Sequence, residues 1–119
     1  TVPSTDVERS MRYYLSLGMK LIVEALPRYV RFELPEGEAT FSVHQVDATP
    51  ADPGVLVYFE SERLDQWVAE LRQKGVEFEQ LPRDQPWLWR EARLRDPDGN
   101  RLVLFRAGKY RKDPPWRLR

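Results

Sequence analysis

The chain has 119 residues, 41% hydrophobic and 32% charged, the size of one compact domain able to bury roughly two thirds of its unfolded surface. Lysine plus arginine equals aspartate plus glutamate at 19 each, so the overall field gives no reason to expect a nucleic acid partner. Cysteine is absent, which removes disulfide frameworks, thiol nucleophiles and thiolate metal sites, and no apolar run approaches the roughly 18 residues that span a bilayer.

The opening TVPSTD has neither the charged nor the apolar region of a signal peptide, and it lacks an initiating Met. A cytoplasmic location is the expectation. Thr5 or Asp6 can cap a helix, Thr5 with Glu8 fits a capping box, and Val7, Met11, Tyr14 and Leu15 recur at helical spacing until Gly18 stops it. MKLIVEAL, YVRFEL and ATFSVHQV then read as strands, separated by Pro27-Arg28 and by Pro35-Glu36-Gly37. The Pro- and Ala-rich ATPADPG is a linker.

The second half repeats this order. VLVYFE is strand-like, Ser61 can cap, Leu64, Trp67, Val68 and Leu71 form an apolar stripe, and Gly75 closes the helix. VEFEQL, WLWREARL and RLVLF follow as strands, the last entered through Asp96-Pro97-Asp98-Gly99, where Pro presets one turn dihedral and Gly permits the left-handed one. A first strand is expected mostly ahead of Thr1. The pattern is an internal duplication: module one about 1–47, linker 48–54, module two about 55–107, and a basic Pro-Trp tail over 108–119. Two half-covered sheets of this kind can bury their open faces.

Alternation assigns Phe41, Val43, Leu88, Ala92, Leu94, Leu102 and Leu104 to the faces under the helices. The opposite set, lining a concavity between the modules, is Ser42, His44, Val55, Val57, Phe59, Trp87, Trp89, Glu91, Arg93, Arg101, Val103 and Phe105. Aromatic rings with scattered polar groups suit a small-molecule pocket, with core packing or a dimer interface as the alternative for the apolar members. In the tail, Arg106, Lys109, Arg111, Lys112, Arg117 and Arg119 face Asp113 alone, which fits a solvated or docked segment, or a phosphate-binding arm.

DVERSMRYYLSLGMKL and DPDGNRLVLF resemble the opening and closing motifs of the vicinal oxygen chelate superfamily, which includes glyoxalases, bleomycin-resistance proteins and extradiol dioxygenases. The resemblance covers essentially the whole chain. It implies an α+β fold in which two βαβββ modules form a cupped mixed sheet with helices on the outer face, often completed as a homodimer. It also implies metal-ligand positions on four strands: Val103 on the last, Val55 on the fifth (Leu56 if the register slips by one), Ser42 on the fourth with His44 on the same face, and one ahead of Thr1. Valine has no lone pair to give, so no family-type metal site is expected. The expected function is metal-free binding of a flat or aromatic small molecule by Ser42, His44, Val55, Val57, Phe59, Trp87, Trp89, Val103 and Phe105. The alternative is a lyase or dioxygenase holding a divalent ion such as Zn, Fe, Mn or Ni on non-standard ligands. Acid/base catalysis by His44 with Glu91 requires both to enter one cavity. A third reading has the concave surface filled by the tail GKYRKDPPWRLR or by a second subunit. Neither a nucleic acid nor a membrane is an expected partner.

Overall fold

A computed structural model describes residues 1–118, and Arg119 of the basic tail lies outside the described residues. In chain order the elements are β1 (Val2–Ser4), α1 (Val7–Ser16), β2 (Lys20–Ala25), β3 (Tyr29–Glu33), β4 (Thr40–Gln45), β5 (Leu56–Glu60), α2 (Leu64–Gln73), β6 (Gln80–Asp84), β7 (Arg90–Arg95) and β8 (Arg101–Arg106), followed by one 3-10 turn, Gly108–Arg111. The strands form two four-stranded sheets ordered β1-β4-β3-β2 and β5-β8-β7-β6. The α+β class and the repeated strand-helix-three-strand order are those read from the sequence. Two compact units emerge: residues 1–57 joined by 95–101, and residues 58–94 joined by the chain from Leu102 onward.

In the first unit β1 runs parallel to β4, with Val2 opposite Val43 and Pro3 opposite His44. A first strand is present at Val2–Ser4, where the sequence pattern did not mark one. Pro3 hid it, although proline is tolerated on an edge strand, where its missing N–H costs no ladder bond. Helix α1 packs on β3 and β4. Its buried Tyr14 meets Phe41 at 4.8 Å and Phe32 at 5.9 Å between ring centroids, while Val7, Leu17, Val30 and Val43 close the layer. Each such side chain contributes roughly 1.5–3 kcal/mol on leaving water. Asp6, not Thr5, caps the helix, accepting from the Arg9 amide at 3.1 Å. The Thr5–Glu8 box is absent because the Thr5 amide and hydroxyl both donate to Asp98 Oδ1, at 2.9 and 3.0 Å.

That acceptor belongs to the turn that completes the unit. Asp96 Oδ1 accepts the amides of Asp98 and Asn100 at 2.9 Å each, folding Asp96-Pro97-Asp98-Gly99-Asn100 around one carboxylate, with Gly99 at φ +84°. Asn100 Nδ2 donates to Asp96 Oδ2 at 2.7 Å and to the Pro3 carbonyl at 3.0 Å, tying the turn to β1. Asp98 ties it to α1 through Ser10 and Arg9, and to the residue ahead of the helix cap through Thr5. Both motifs that carried the family resemblance are thus two halves of one hydrogen-bonded lock.

In the second unit α2 buries Leu64, Val68 and Leu71 and packs against β6. Its N-cap is Arg63 without a side-chain bond, while Ser61, two residues earlier, accepts the Arg63 amide at 3.1 Å. Two strands start later than the alternation suggested. Residues 76–79 of VEFEQL lie outside β6, which runs over Gln80–Asp84 on the sheet edge, with Pro82 accommodated at a register shift between Gln80 and Arg83. Trp87 and Leu88 form a turn, not the start of β7: the Gln85 amide donates to the Trp89 carbonyl at 2.8 Å and Leu88 adopts φ +70°. Leu88 is consequently 42% exposed and not under a helix, in contrast to Ala92, Leu94, Leu102 and Leu104, which are all buried.

Candidate functional site

Strand parity sorts the predicted residues onto two surfaces, one in each unit. On the second, β8 directs Val103 and Phe105 to the face opposite Leu102 and Leu104, and β7 directs Glu91 and Arg93 to the same side, with Trp89 immediately ahead of the strand. Trp89 stacks on Phe105 with centroids 4.7 Å apart and planes at 19°. Val103, Phe105 and Ala107 form a buried cluster beneath Trp89, and the Trp89 indole N–H donates to the Tyr110 carbonyl at 3.3 Å. On β5 the aromatic contributor is Tyr58, edge-on to Phe105 at 5.5 Å and to Trp89 at 6.1 Å. Phe59, assigned to that face from the sequence, alternates to the other one and is buried. An all-apolar strand such as LVYF carries no polar marker to fix its parity, which is why Tyr58 was missed.

Val55 precedes β5 and is 64% exposed, so it does not stand on a sheet face at all, while Val57 is half-buried within the strand. Trp87, in the turn before β7, is half-exposed, and its indole N–H donates to Glu91 Oε2 at 2.8 Å. Glu91 has no exposed surface, and its other oxygen accepts from Arg93 Nη2 at 3.1 Å. A buried carboxylate survives only with such partners, and with both oxygens engaged Glu91 orients Trp87 and Arg93. The tail touches this unit through Arg111, whose Nε lies 3.1 Å from Glu60 Oε1.

In the first unit, β4 directs Ser42 and His44 away from the face that carries Phe41 and Val43. Opposite them on β3 stand Arg31 and Tyr29 respectively. Arg31 Nε donates to the Tyr29 hydroxyl at 2.9 Å, the guanidinium carbon sits 5.5 Å from the Tyr29 ring centroid, and Thr1 Oγ1 lies 3.1 Å from His44 Nδ1. Hydrogen bonds from Ser42 and then Arg31 hold the Tyr29 phenol below its ordinary value of 10.0, since both favour the phenolate. Tyr29 and Arg31 were not named from the sequence, yet YVRFEL alternates cleanly and already puts both on the side of Ser42 and His44. His44 and Glu91, the suggested acid/base pair, belong to different compact units, and each is engaged by residues of its own.

Two of the positions that the resemblance assigns to metal ligands carry no donor atom. Val103 is packed under Trp89, Val55 lies off the strands, and neither side chain has a donor atom. Among the described residues no three His, Asp or Glu side chains group closely enough to hold a metal. No helix of the described residues is long and apolar enough to cross a membrane.

Comparison with known proteins agrees with this architecture. A curated relative, the uncharacterized protein YraH of Bacillus subtilis (strain 168), is 30% identical over 106 residues, spanning 88% of this chain and 79% of its own. Among solved structures, a glyoxalase/bleomycin resistance protein/dioxygenase from Nocardioides superposes with a TM-score of 0.74 at 24% identity, covering all of this chain (100%) and 87% of its own. A bleomycin-binding protein complexed with bleomycin gives 0.75 at 18% identity, over 88% of this chain and 92% of its own. Residues 1–104 match the family description "Glyoxalase/Bleomycin resistance protein/Dioxygenase superfamily". With the duplicated strand-helix-strand order and the lock between its two motifs, the chain belongs to the glyoxalase/bleomycin resistance protein/dioxygenase superfamily.

Proposed function

We propose that this protein binds a flat, aromatic small molecule without a metal ion, on the aromatic face of its second unit formed by Tyr58, Trp89 and Phe105, with Trp87 alongside. The observation that carries this reading is Val103: where metal-using relatives are expected to place their last-strand donor, an aliphatic side chain lies buried under the Trp89–Phe105 stack. Tyr58 and Trp87 keep 39% and 40% of their surface exposed, so ring area remains to be covered by a ligand. Offset or edge-on ring contacts add about 0.5–1.5 kcal/mol each beyond area burial, enough for affinity with no chemistry. The likeness in fold to a bleomycin-binding protein supports the same class of activity. Glu91 and Arg93 serve as the frame that sets the Trp87 indole in place.

Titration with the neutral flat probe acridone, followed by quenching of tryptophan emission, tests this reading. Saturable quenching that Trp89→Leu abolishes is the expected result. A linear, non-saturating response in the native protein overturns it. Elemental analysis of protein purified without chelator supplies the second arm, because near-stoichiometric transition metal sinks the metal-free half of the proposal.

A further inference from the structure

We propose that Arg31, Tyr29, Ser42 and His44 form a binding site for a carboxylate or other small oxyanion on the face of the first sheet opposite α1. The site goes beyond the aromatic-face reading and does not depend on it. Its starting point is an unneutralised guanidinium. Elsewhere in the same unit Arg9 pairs with Asp98 at 3.2 Å and Arg101 with Asp52 at 3.1 Å. Among the described residues no carboxylate lies within ion-pair distance of Arg31, although Glu33 shares its face two residues along. Glu33 stands opposite Lys20, and the hydrogen-bond partner Arg31 has is a phenol.

The phenol fixes how the cation is presented. With Nε spent on the Tyr29 hydroxyl at 2.9 Å and the guanidinium carbon 5.5 Å from the ring, the terminal nitrogens remain for a planar acceptor. A guanidinium fork matches the two oxygens of a carboxylate, or two of a phosphate, better than a lysine ammonium does. Tyr29 accepts from Arg31 through its oxygen and retains its own proton to donate. Ser42, directly opposite Arg31, gives its hydroxyl to the Tyr29 oxygen and so helps to hold the phenol in place beside the guanidinium. His44, opposite Tyr29, has Nδ1 occupied by Thr1, which leaves Nε2 for a ligand. Three donor groups, from Arg31, Tyr29 and His44, on adjacent positions of two hydrogen-bonded strands and with no carboxylate of the described residues paired to the guanidinium, constitute a site for an external anion.

Benzoate and inorganic phosphate are the anionic probes, and benzamide is the neutral control of nearly the same shape. The readout is the NMR shift of the Arg31 Nε–H and the His44 ring during titration. Saturable shifts with either anion and none with benzamide are expected, Arg31→Leu weakening the anion by about tenfold or more while Arg31→Lys keeps part of it. Tyr29→Phe is expected to weaken binding a few-fold. In the native protein, bound anion should move the Tyr29 ionisation, read by absorbance near the phenolate band, to higher pH, because a negative neighbour disfavours the phenolate. Trp89→Leu should leave all of these responses unchanged, which separates failure here from failure of the aromatic-face reading. Benzamide titrating like benzoate, an Arg31→Leu variant that is folded by circular dichroism and binds as the native protein does, or no saturable response to either anion overturns the proposal.

Discussion

The Tyr14 hydroxyl donates to Asp96 Oδ2 at 2.6 Å, both groups being buried, and so joins α1 to a turn 82 residues further along the chain. Burial, and then the adjacent Asp96 charge, push the Tyr14 phenol far above its ordinary ionisation range. Tyr14→Phe is expected to destabilise the protein by about 1–3 kcal/mol, since the buried Asp96 Oδ2 loses a hydrogen-bond partner. Asp96→Asn is expected to cost more, because the same carboxylate also receives the Asp98 and Asn100 amides. Urea denaturation of the two variants and the double variant measures the coupling, and additive effects would deny that the pair acts as a unit.

Asp98 sets an acid limit on stability. Burial raises its carboxyl, but the hydrogen bonds from Ser4, Thr5 and Ser10 together outweigh burial and hold it below its ordinary value of 3.8. A carboxyl depressed in the folded state contributes stability that is fully present above the unfolded value and lost as pH falls through the folded one. Stability should therefore decline below about pH 4 in part because Asp98 takes up a proton, and Asp98→Asn should be less stable at neutral pH with a shallower acid decline. Thermal unfolding of both proteins between neutral pH and the acid limb checks the difference in slope.

Val103 is a position where a charge should be punished. It has no exposed surface and packs with Phe105, Ala107 and Trp89. Val103→Ala should cost about 2 kcal/mol through the small cavity it leaves. Val103→Glu should cost several kcal/mol, or drive the new carboxyl to stay protonated well above the normal range. Guanidinium unfolding across a pH series reads both effects, and a Val103→Glu protein as stable as the native one would show that this side chain is not enclosed.

Much of the fold was legible because the strands of the first unit alternate cleanly and both helices end in glycines at positive φ, Gly18 and Gly75. The failures were local and have physical causes. Proline concealed β1 and β6, since edge strands tolerate what interior strands reject. The tryptophans in WLWREARL read as strand formers, but Leu88 turns the chain at φ +70° before β7 begins. The polar surface around Arg31 was half visible: Ser42 and His44 were named from β4 and the alternation of YVRFEL put Tyr29 and Arg31 on their side, while which residue stands opposite which required the register that pairing supplies. The motif residues themselves were misleading in one respect. Asp96, Asp98 and Asn100 look like chemistry in a sequence, and the structure spends them on hydrogen bonds to their own turn, β1 and α1.

The lock between Thr5 and Asp98 spans 93 residues, and it has a consequence for biosynthesis. On a ribosome the amino-terminal half emerges first and ordinarily folds first. Here its helix arrives with the Thr5, Ser10 and Tyr14 donors uncapped, and their acceptors appear only after the second helix and its strands have been translated. A nascent chain halted at the Pro-rich linker would hold every strand of its sheet yet lack the carboxylates that fasten its helix, so the first unit matures only once Asp96 and Asp98 have been made.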